Sequence, residues 1–367
     1  MSCWNFAETV YRLGEGPTAD HPALIHDDLI ISYAELRRRA SGIASYLNSL
    51  ALPAGSHVGH YLRNSNAYME MFVGSGLAGH AHVNVNYRYR DEELIGLANG
   101  LDLRVLVYDA EFADRVAAIR DRLEATVAFI EVGGDEPVAD FAVSLVSLYD
   151  HATDDFQTST SSDDLILIAT GGTTGLPKGT QWRNEDLWRK MGTSTQMALE
   201  PLQLKDHPTE LTEHVRNVGS LPSPPAFLSL SPLMHGAGLM TAILMIAQGV
   251  PVATVSGVKF DPDATLSFIK QHGVGCVVLV GDAFGTPLVE ALDKRADEKL
   301  IASLMVLISS GASLGPETRA GLQRHNPALV VVDTLGSSES SGYAMATGEA
   351  GVFAPLPKVR VLDDQLN

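Results

Sequence analysis

Cysteine is scarce in this sequence of 367 residues, which contains only Cys3 and Cys276. The two lie far apart, and Cys276 falls within an apolar run, so we expect both to be ordinary structural residues. This scarcity argues against the disulfide framework that stabilises many small secreted proteins. It favours a reducing compartment, and we predict a cytoplasmic protein.

Basic side chains are also few, because 26 Lys and Arg face 44 Asp and Glu and give a formal net charge of -18 at pH 7. A nucleic-acid partner normally requires a basic face, and an anionic membrane attracts basic proteins. The charge therefore argues against both partners. Any anionic ligand must be held by a small number of local groups.

Membrane-spanning and export segments are not indicated. Residues 236 to 258 carry no charged side chain, but a glutamine, a glycine and a proline follow Ala247. We interpret this stretch as a buried helix that leads into a buried strand, Val250–Val255. The start, Met1–Arg12, has neither the basic region nor the apolar core of a secretory signal.

Short apolar runs alternate with helical stretches along most of the chain. The composition, 45% hydrophobic and 19% charged, is sufficient for a large core in one large domain or two fused subdomains. In the second half, helical segments near Met240, Leu266, Val289 and Leu322 separate five predicted strands. The strands are Phe227–Leu230, Val250–Val255, Cys276–Val280, Met305–Ile308 and Leu329–Val332. This order is typical of a doubly wound α/β sheet.

The first half repeats this pattern, with predicted helices at Tyr33–Leu50 and Ala110–Leu123 and strands near Val58 and Val105. A segment rich in Ser, Thr and Asp, Thr158–Asp164, divides the halves. In open parallel sheets, ligands bind outside the carboxyl ends of the strands. We therefore expect the segments that follow the predicted strands to share one cleft.

Residues 165 to 179 read LILIATGGTTGLPKG, a short apolar strand followed by a loop of glycine and threonine with one lysine. Glycine amides, threonine hydroxyls and a mobile ammonium group together suit a polyphosphate. The residues that offer these groups are Thr170, Gly171, Gly172, Thr173, Thr174, Gly175 and Lys178. The loop fits neither the Walker pattern, since Pro177 precedes Lys178, nor the Rossmann pattern. A flexible surface loop is the alternative.

The order TGGTTGLPKG resembles the signature of the adenylate-forming superfamily, which includes acyl-CoA synthetases, firefly luciferase and the adenylation domains of peptide synthetases. Three later segments resemble further motifs of that superfamily in the same order: Ser231–Gly236, Ser310–Leu314 and Leu335–Glu339. Upstream, Tyr33–Leu36 and the run from Ala78 to Leu94 are similar to its early segments. The resemblance therefore extends over nearly the whole chain.

This resemblance implies a fold and a division of the chain. The fold class is α/β, with two pseudo-repeated doubly wound sheets in a layered αβαβα large domain of the acyl-CoA synthetase type. Residues 1–160 would form a first α/β subdomain, and residues 161–367 a second that carries the ATP and acyl site. The family continues beyond this point with a hinge and a mobile C-terminal domain, so we expect the chain to be the N-terminal part of a longer enzyme, impaired when isolated.

The chemistry implied by the resemblance is attack of a carboxylate on the α-phosphorus of ATP, which gives acyl-AMP and pyrophosphate, followed by thioester formation with CoA. Lys178, His235, Glu339 and Thr170 would be catalytic, and Thr170 and Glu339 would bind Mg²⁺. The acid would contact His235, Gly236, Gly281 and Ala312. Beyond the glycine-threonine loop, ATP would contact Gly311, Ala312, Ser313, Asp333, Leu335, Gly336, Ser337, Ser338 and Glu339.

Ordinary structural roles are the alternatives for several of these residues. Glu339 could be a solvated carboxylate at a helix start, and His235 could satisfy a buried backbone carbonyl. Lys178 could be an ordinary loop lysine, and Ala312 a packing position. Leu335 stands where the family usually has a tyrosine that stacks on adenine, so nucleotide affinity is expected to be lower.

The expected substrate is a hydrophobic carboxylic acid. Amino-acid-activating relatives carry an aspartate in the motif where this chain has Met234 and His235, so an amino acid is disfavoured. The expected pocket walls are apolar and rich in glycine, which suits a fatty acid or a steroid side chain. Segments near Trp182 and Gly281 resemble bacterial acyl-CoA synthetases that act on such acids.

Three other functions and the oligomeric state stay open. The chain could be an acyl-AMP ligase that delivers to a carrier protein, a phosphotransferase that splits ATP to ADP, or a non-catalytic module that binds acyl groups or nucleotides. Product analysis separates the phosphotransferase from the adenylating enzymes. A homodimer is an open alternative to a monomer.

Overall fold

The structure is a computed structural model that describes residues 4–153, 155–170, 178–199, 210–347, 351–356, 359–360 and 362. For residues 192–199 it describes only the helical backbone. Of the two cysteines, Cys3 lies outside the described residues, and Cys276 is buried with a free thiol.

Helices in the described part of the chain cover both halves of the sequence. They are α1 (Phe6–Leu13), α2 (Tyr33–Ser49), α3 (Asn66–Leu77), α4 (Asp91–Gly100), α5 (Ala113–Ile119), α6 (Leu145–Leu148), α7 (Asn184–Leu199), α8 (Leu211–Gly219), α9 (Gly236–Ala247), α10 (Pro262–His272), α11 (Gly281–Lys294) and α12 (Pro316–His325). Asp261 caps α10, since its carboxylate accepts a hydrogen bond of 3.0 Å from the Ala264 amide, as the sequence Asp261-Pro262 predicts.

Strands form two sheets. The strands are β1 (Pro22–His26), β2 (Leu29–Ser32), β3 (His57–Tyr61), β4 (Ala81–Asn84), β5 (Leu103–Asp109), β6 (Ala128–Val132), β7 (Val143–Ser144), β8 (Leu165–Thr170), β9 (Lys178–Arg183), β10 (Phe227–Ser229), β11 (Val252–Thr254), β12 (Cys276–Leu279), β13 (Val306–Ser310), β14 (Val330–Ser337), β15 (Ser341–Ala346) and β16 (Phe353–Pro355). The nine-stranded sheet has the order β16-β15-β14-β13-β12-β10-β11-β1-β2, and the seven-stranded sheet has the order β7-β6-β5-β3-β4-β8-β9.

The central strands of both sheets are buried on both faces, which explains their nearly continuous apolar sequences. In β12, Val278 packs into the core between the sheets, whereas its neighbour Val277 packs against α10, α11 and α12 on the other side. In β8, Ile166 and Ile168 face the central core, and Leu167 faces the layer of α4 and α5. Helices α1, α2, α3 and α9 fill the central layer. This arrangement confirms the expected αβαβα layering.

The two sheets exchange strands across the predicted subdomain boundary at residues 160 and 161. Strands β1 and β2, from the first part of the chain, complete the nine-stranded sheet, where Leu24 pairs with Val252. Strands β8 and β9, from the second part, complete the seven-stranded sheet, where His82 pairs with Ile166. The division into 1–160 and 161–367 stays a prediction, but neither sheet is built from one part alone.

The uncharged stretch after Gly236 forms the helix and strand that the sequence predicts, α9 and β11. Leu239 and nearly all later residues of α9 are buried in the central core. Within the described ranges, no helix is both long and apolar enough to cross a membrane.

Two predicted element boundaries were wrong. The predicted helix Ala110–Leu123 is regular α-helix only at α5, between short 3₁₀ turns. Strand β14 does not end at Val332 but continues to Ser337, because its second half pairs antiparallel with β15. The segment from Leu335 to Ser337 is therefore strand, and only Ser338 to Ser340 form the turn that follows.

Candidate functional site

A cavity of about 270 Å³ lies at the carboxyl ends of β13 and β14, against the start of α9. Its lining includes residues from three of the four motif segments. From those segments, the structure brings together His235, Gly236, Ser310, Gly311, Gly336, Ser337 and Ser338. Three of the motif segments therefore share one cavity, at the edge of the sheet where ligands bind in doubly wound folds, and a cleft common to all four stays a prediction.

The β8–β9 hairpin carries the ends of the glycine-threonine loop. Thr170 is half-buried at the end of β8 and pairs with Lys178, which is exposed at the start of β9. The five residues expected to contact the phosphates between them, Gly171, Gly172, Thr173, Thr174 and Gly175, lie outside the described residues. Neither Thr170 nor Lys178 is part of the described cavity lining.

A hydrogen bond connects this hairpin to the turn between β14 and β15. The indole Nε1 of Trp182, in β9, donates to the Ser338 carbonyl oxygen at 2.7 Å. Glu339 follows directly and is exposed in the same turn. A β-carbon placed on Gly236 would lie 3.7 Å from the Ser338 hydroxyl and 3.8 Å from the Ile168 side chain. Segments of three motifs therefore lie in contact.

Gly336 is required by this turn, because a β-carbon there would lie 2.5 Å from the Ser341 carbonyl oxygen. Leu335, beside it, is 42% exposed, so its aliphatic side chain is available at the surface. Asp333 is 6% exposed, and its carboxylate accepts a hydrogen bond of 3.2 Å from the Leu314 amide. Asp333 thus holds the loop after β13 and is not part of the described cavity lining.

The loop after β13 packs against the start of α11. Gly281 has a φ of +53°, and a β-carbon on it would lie 2.5 Å from the Ser313 carbonyl oxygen and 2.9 Å from the Ala312 β-carbon. Ala312 and Ser313 are exposed. This contact between the loop and α11 lies next to Gly311 but outside the described lining of the cavity, which contains none of Gly281, Ala312 and Ser313.

His235 is exposed at the cavity wall and precedes the first residue of α9. Surrounding protein and then the positive charge of Arg88 lower the pKa of its imidazole. The ring is therefore neutral near pH 7 and can donate or accept a hydrogen bond. The amides of the first turn of α9 add a partial positive charge beside it.

Sequence reasoning missed several side chains of the cavity wall. The missed residues are Met191, Thr241 and Met345, which line it together with Met240 and Ile308. Helix α9 is apolar on nearly all sides, so the sequence does not show which of its residues face a ligand and which face the core. The three methionines make the wall apolar and adaptable.

A larger cavity of about 640 Å³ lies near the junction of the two sheets. Its lining carries three basic side chains, Arg63, Arg88 and Lys259, and three acidic ones, Asp109, Glu111 and Asp261. Both arginines lie near the Tyr87 ring. The guanidinium carbon of Arg63 is 4.7 Å from the Tyr87 ring centre, and Arg63 also bonds the Glu111 carboxylate at 2.9 Å. The sequence singled out none of these side chains.

Possible metal ligands are sparse. Among the residues that the structure describes, no cluster of three or more His, Cys, Asp or Glu could hold a metal ion. Glu339 and the Thr170 hydroxyl fit Mg²⁺ by ligand type, since Mg²⁺ is commonly bound by one or two carboxylates and the substrate phosphates.

The chain matches a known family and several known proteins. The family model described as AMP-binding enzyme matches residues 14–367. The medium/long-chain-fatty-acid–CoA/3-oxocholest-4-en-26-oate–CoA ligase of Mycobacterium marinum is 31% identical over 354 residues, which are 93% of this chain and 62% of the relative. The 3-oxocholest-4-en-26-oate–CoA ligase of Rhodococcus rhodochrous is 29% identical over 364 residues, 94% of this chain and 63% of the relative.

A solved structure shares the fold. The anthranilate CoA ligase AuaEII, in complex with anthranoyl-AMP, superposes with a TM-score of 0.82 at 17% sequence identity, over 100% of this chain and 67% of that chain. The chain thus spans a little under two thirds of the length of the two curated relatives.

Proposed function

Because the chain belongs to the family of AMP-binding enzymes, we propose that it activates a hydrophobic carboxylic acid with ATP as acyl-AMP and serves its transfer to CoA. A fatty acid or a steroid side-chain acid is the proposed substrate class, and the names of the two relatives support it. The observation that carries the proposal is the cavity that joins His235, Gly311 and Gly336 from three motif segments.

The phosphate end of ATP is proposed to lie between the β8–β9 hairpin and the β14–β15 turn. Lys178 and the loop amides would stabilise the charge that develops on the leaving pyrophosphate. Glu339 and Thr170 would hold Mg²⁺, which neutralises phosphate charge when bound. The bond from Trp182 to the Ser338 carbonyl supports this geometry, because it ties the two elements together.

The carboxylate of the substrate is proposed to lie beside His235 and Gly236. A neutral imidazole can donate one hydrogen bond to a carboxylate oxygen without binding it as tightly as a full positive charge would. The amides of the first turn of α9 would attract the same negative group. Gly236 leaves room for it, since a side chain there would approach Ser338 and Ile168.

The acyl chain is proposed to extend along Met191, Met240 and Met345. Apolar ligand surface gains roughly 25 cal/mol per Å² on leaving water, so such a wall favours a hydrocarbon over a polar acid. Asp333, which the Leu314 amide already engages, and Leu335 are proposed at the adenine end.

The larger cavity is proposed to receive the phosphorylated part of CoA. Arg63 is paired with Glu111, so Arg88 and Lys259 are the cations proposed to contact the phosphates, and Tyr87 offers a ring face. Arg88 also lowers the pKa of His235, which indicates that the larger cavity and the acyl cavity are close to each other.

The test is pyrophosphate exchange into ATP, measured with a panel of fatty, aromatic and steroid carboxylic acids. We expect exchange that depends on a hydrophobic acid and forms AMP. Lys178→Ala and Glu339→Gln should each lower the rate about 10²-fold or more. Lys270→Ala and Glu317→Gln, which remove the same charges from exposed positions on α10 and α12, are the matched controls and should leave it unchanged.

Other outcomes would identify the other functions. Formation of ADP in place of AMP would indicate a phosphotransferase. Acid-dependent exchange followed by acyl transfer to a carrier protein and not to CoA would favour delivery to a carrier protein. Binding of ATP or acid without exchange for any acid would favour a non-catalytic module, and full activity of both site variants would refute the assigned residues.

A further inference from the structure

Asn84, the last residue of β4, bonds two segments of the site at once. Its side-chain oxygen accepts a hydrogen bond of 2.6 Å from the Ala169 amide, and its side-chain nitrogen donates to the Ala169 carbonyl at 3.1 Å. The same nitrogen donates to the Met234 carbonyl. Ala169 directly precedes Thr170, and Met234 directly precedes His235.

The position of Asn84 explains this arrangement. Backbone pairing between β4 and β8 joins His82 to Ile166 and Val83 to Leu167. The side-chain amide group of Asn84 takes the place of a backbone peptide group and extends this pairing to Ala169. Because Asn84 is 2% exposed, water does not compete for these bonds.

A second asparagine holds the same loop from another strand end. Asn64, which follows β3, donates to the carbonyl oxygens of Ser229 and Ser231 at 3.2 Å each and accepts from the Leu233 amide at 2.7 Å. The loop between β10 and α9 is thus fixed along its length. Of the two asparagines, only Asn84 also bonds the strand that enters the glycine-threonine loop.

We propose that Asn84 is a positioning residue that holds the end of β8 and the loop of His235 at a fixed separation. This inference rests on the proposed function, in which Thr170 lies at the phosphates and His235 at the carboxylate. The two reacting groups would then be aligned by one buried side chain of the seven-stranded sheet. Misplacement by about 1 Å can lower a rate about 10²-fold, so such alignment matters for the chemical step.

Asn326 provides a matched control. It is 9% exposed, donates to the Ile301 and Leu304 carbonyl oxygens at 2.9 and 2.7 Å, and accepts from the Ala328 amide at 3.2 Å. Its hydrogen bonds are equal in number and kind to those of Asn84. The residues it holds are not part of the described lining of either cavity.

The kinetic test uses Asn84→Ala and Asn326→Ala with the best acid of the panel. Both variants should lose stability. Asn84→Ala should lower kcat for exchange about 10²-fold, with the KM values for ATP and acid changed less than about three-fold. Asn326→Ala should keep kcat. Equal kcat for Asn84→Ala and wild type, or equal losses in the two variants, would overturn the proposal.

Asn84→Asp adds a second kinetic readout. The variant keeps the acceptor oxygen, and it regains one donor when its carboxyl group is protonated. The ratio of its kcat for pyrophosphate exchange to that of wild type should therefore increase as the pH is lowered from about 8 to about 6. A constant ratio would contradict the donor role of the side chain.

Amide hydrogen exchange tests the same contact without activity. In Asn84→Ala, the amides of Ala169 and His235 should both exchange faster than in wild type, whereas Asn326→Ala should leave both protected. Faster hydrogen exchange at only one of the two amides would refute the proposal that Asn84 holds both segments. If wild type lacks pyrophosphate exchange while both amides respond, the proposed function fails and the contact made by Asn84 stands.

Discussion

Two buried histidines face each other in the seven-stranded sheet. The rings of His60 and His82 are 4.4 Å apart and nearly perpendicular, and the Tyr68 hydroxyl lies 3.1 Å from Nε2 of His82. Burial lowers the pKa of His82 to about 3. Burial, and then the proximity of His82, lowers the pKa of His60. Both rings are therefore neutral in the folded protein at neutral pH.

These histidines predict acid sensitivity. Their pKa values are lower in the folded state than the unfolded value near 6.5, so the unfolded state binds more protons below about pH 6.5. The free energy of unfolding therefore decreases as the pH is lowered below that value. In that range, each histidine should lower the free energy of unfolding by about 1.4 kcal/mol for each pH unit. Urea unfolding at about pH 7 and pH 5 measures the loss.

His60→Phe is the matched variant, since it keeps a ring between Tyr68 and His82 but cannot bind a proton. We expect a shallower fall of the free energy of unfolding with pH than in wild type. An unchanged slope would show that His60 does not contribute to acid sensitivity.

At this scale the motifs located some residues of the cavity wall, and the sequence missed residues that act through distant contacts. His235, Gly311 and Gly336 stand within recognisable segments and line the cavity. Asn84 bonds residues 85 and 150 positions away, and no local pattern encodes such pairing.

Among the elements, the start of α11 depends on a close approach that only glycine allows. Gly281 has positive φ, and a β-carbon would collide with the Ser313 carbonyl and the Ala312 side chain. Gly273, the C-cap of α10, has a similar φ of +58° but no atom within 4 Å of a built β-carbon. Comparison of the two positions therefore distinguishes the cost of backbone strain from the cost of a steric collision.

We predict different costs for the two substitutions. Gly273→Ala should lower the free energy of unfolding by about 1 kcal/mol through strain alone. Gly281→Ala should cost about 2–4 kcal/mol, because overpacking adds to the strain, and should weaken acid-dependent exchange by displacing the loop after β13. Denaturant unfolding measures both costs, and equal values would contradict the predicted collision.

Apolar periodicity predicted half of the helices and strands in the described part of the chain, and its failures have physical causes. Strands β10 to β13 and helices α9 to α12 lie where buried runs and helix starts indicate. The extension of β14 to Ser337 was missed because its residues Thr334 to Ser337 include glycine and serine, which rarely mark strands. Pairing with β15 stabilises them there.

The whole molecule is joined by the exchange of strands between the sheets. Each sheet needs strands from both sides of residue 160, and the central core contains residues of both. We therefore expect one cooperative unfolding transition of the chain, with tryptophan fluorescence and far-ultraviolet circular dichroism giving the same midpoint.

The corresponding fragments should not fold alone. Residues 1–160 would leave β4 without β8, and residues 161–367 would leave β11 without β1. Each fragment should show little near-ultraviolet circular dichroism and no cooperative transition, whereas the co-expressed pair should recover both. A fragment that unfolds cooperatively by itself would support independent subdomains.

The layered class of the fold could be predicted, but its strand exchange could not. Alternating helices and buried strands indicate parallel sheets with helices on both faces. Which strand completes which sheet depends on pairing between segments such as Leu24 and Val252, whose apolar character fits many partners.

The pairing of β1 with β11 also sets an order of events during synthesis. Leu24 leaves the ribosome more than two hundred residues before Val252, its partner. At roughly 5–20 residues per second, the edge of β1 that pairs with β11 stays without its partner for on the order of ten to forty seconds. The leucine and isoleucine of β2 are 53% and 54% accessible even in the folded chain, so this hairpin offers apolar surface to chaperones during that wait.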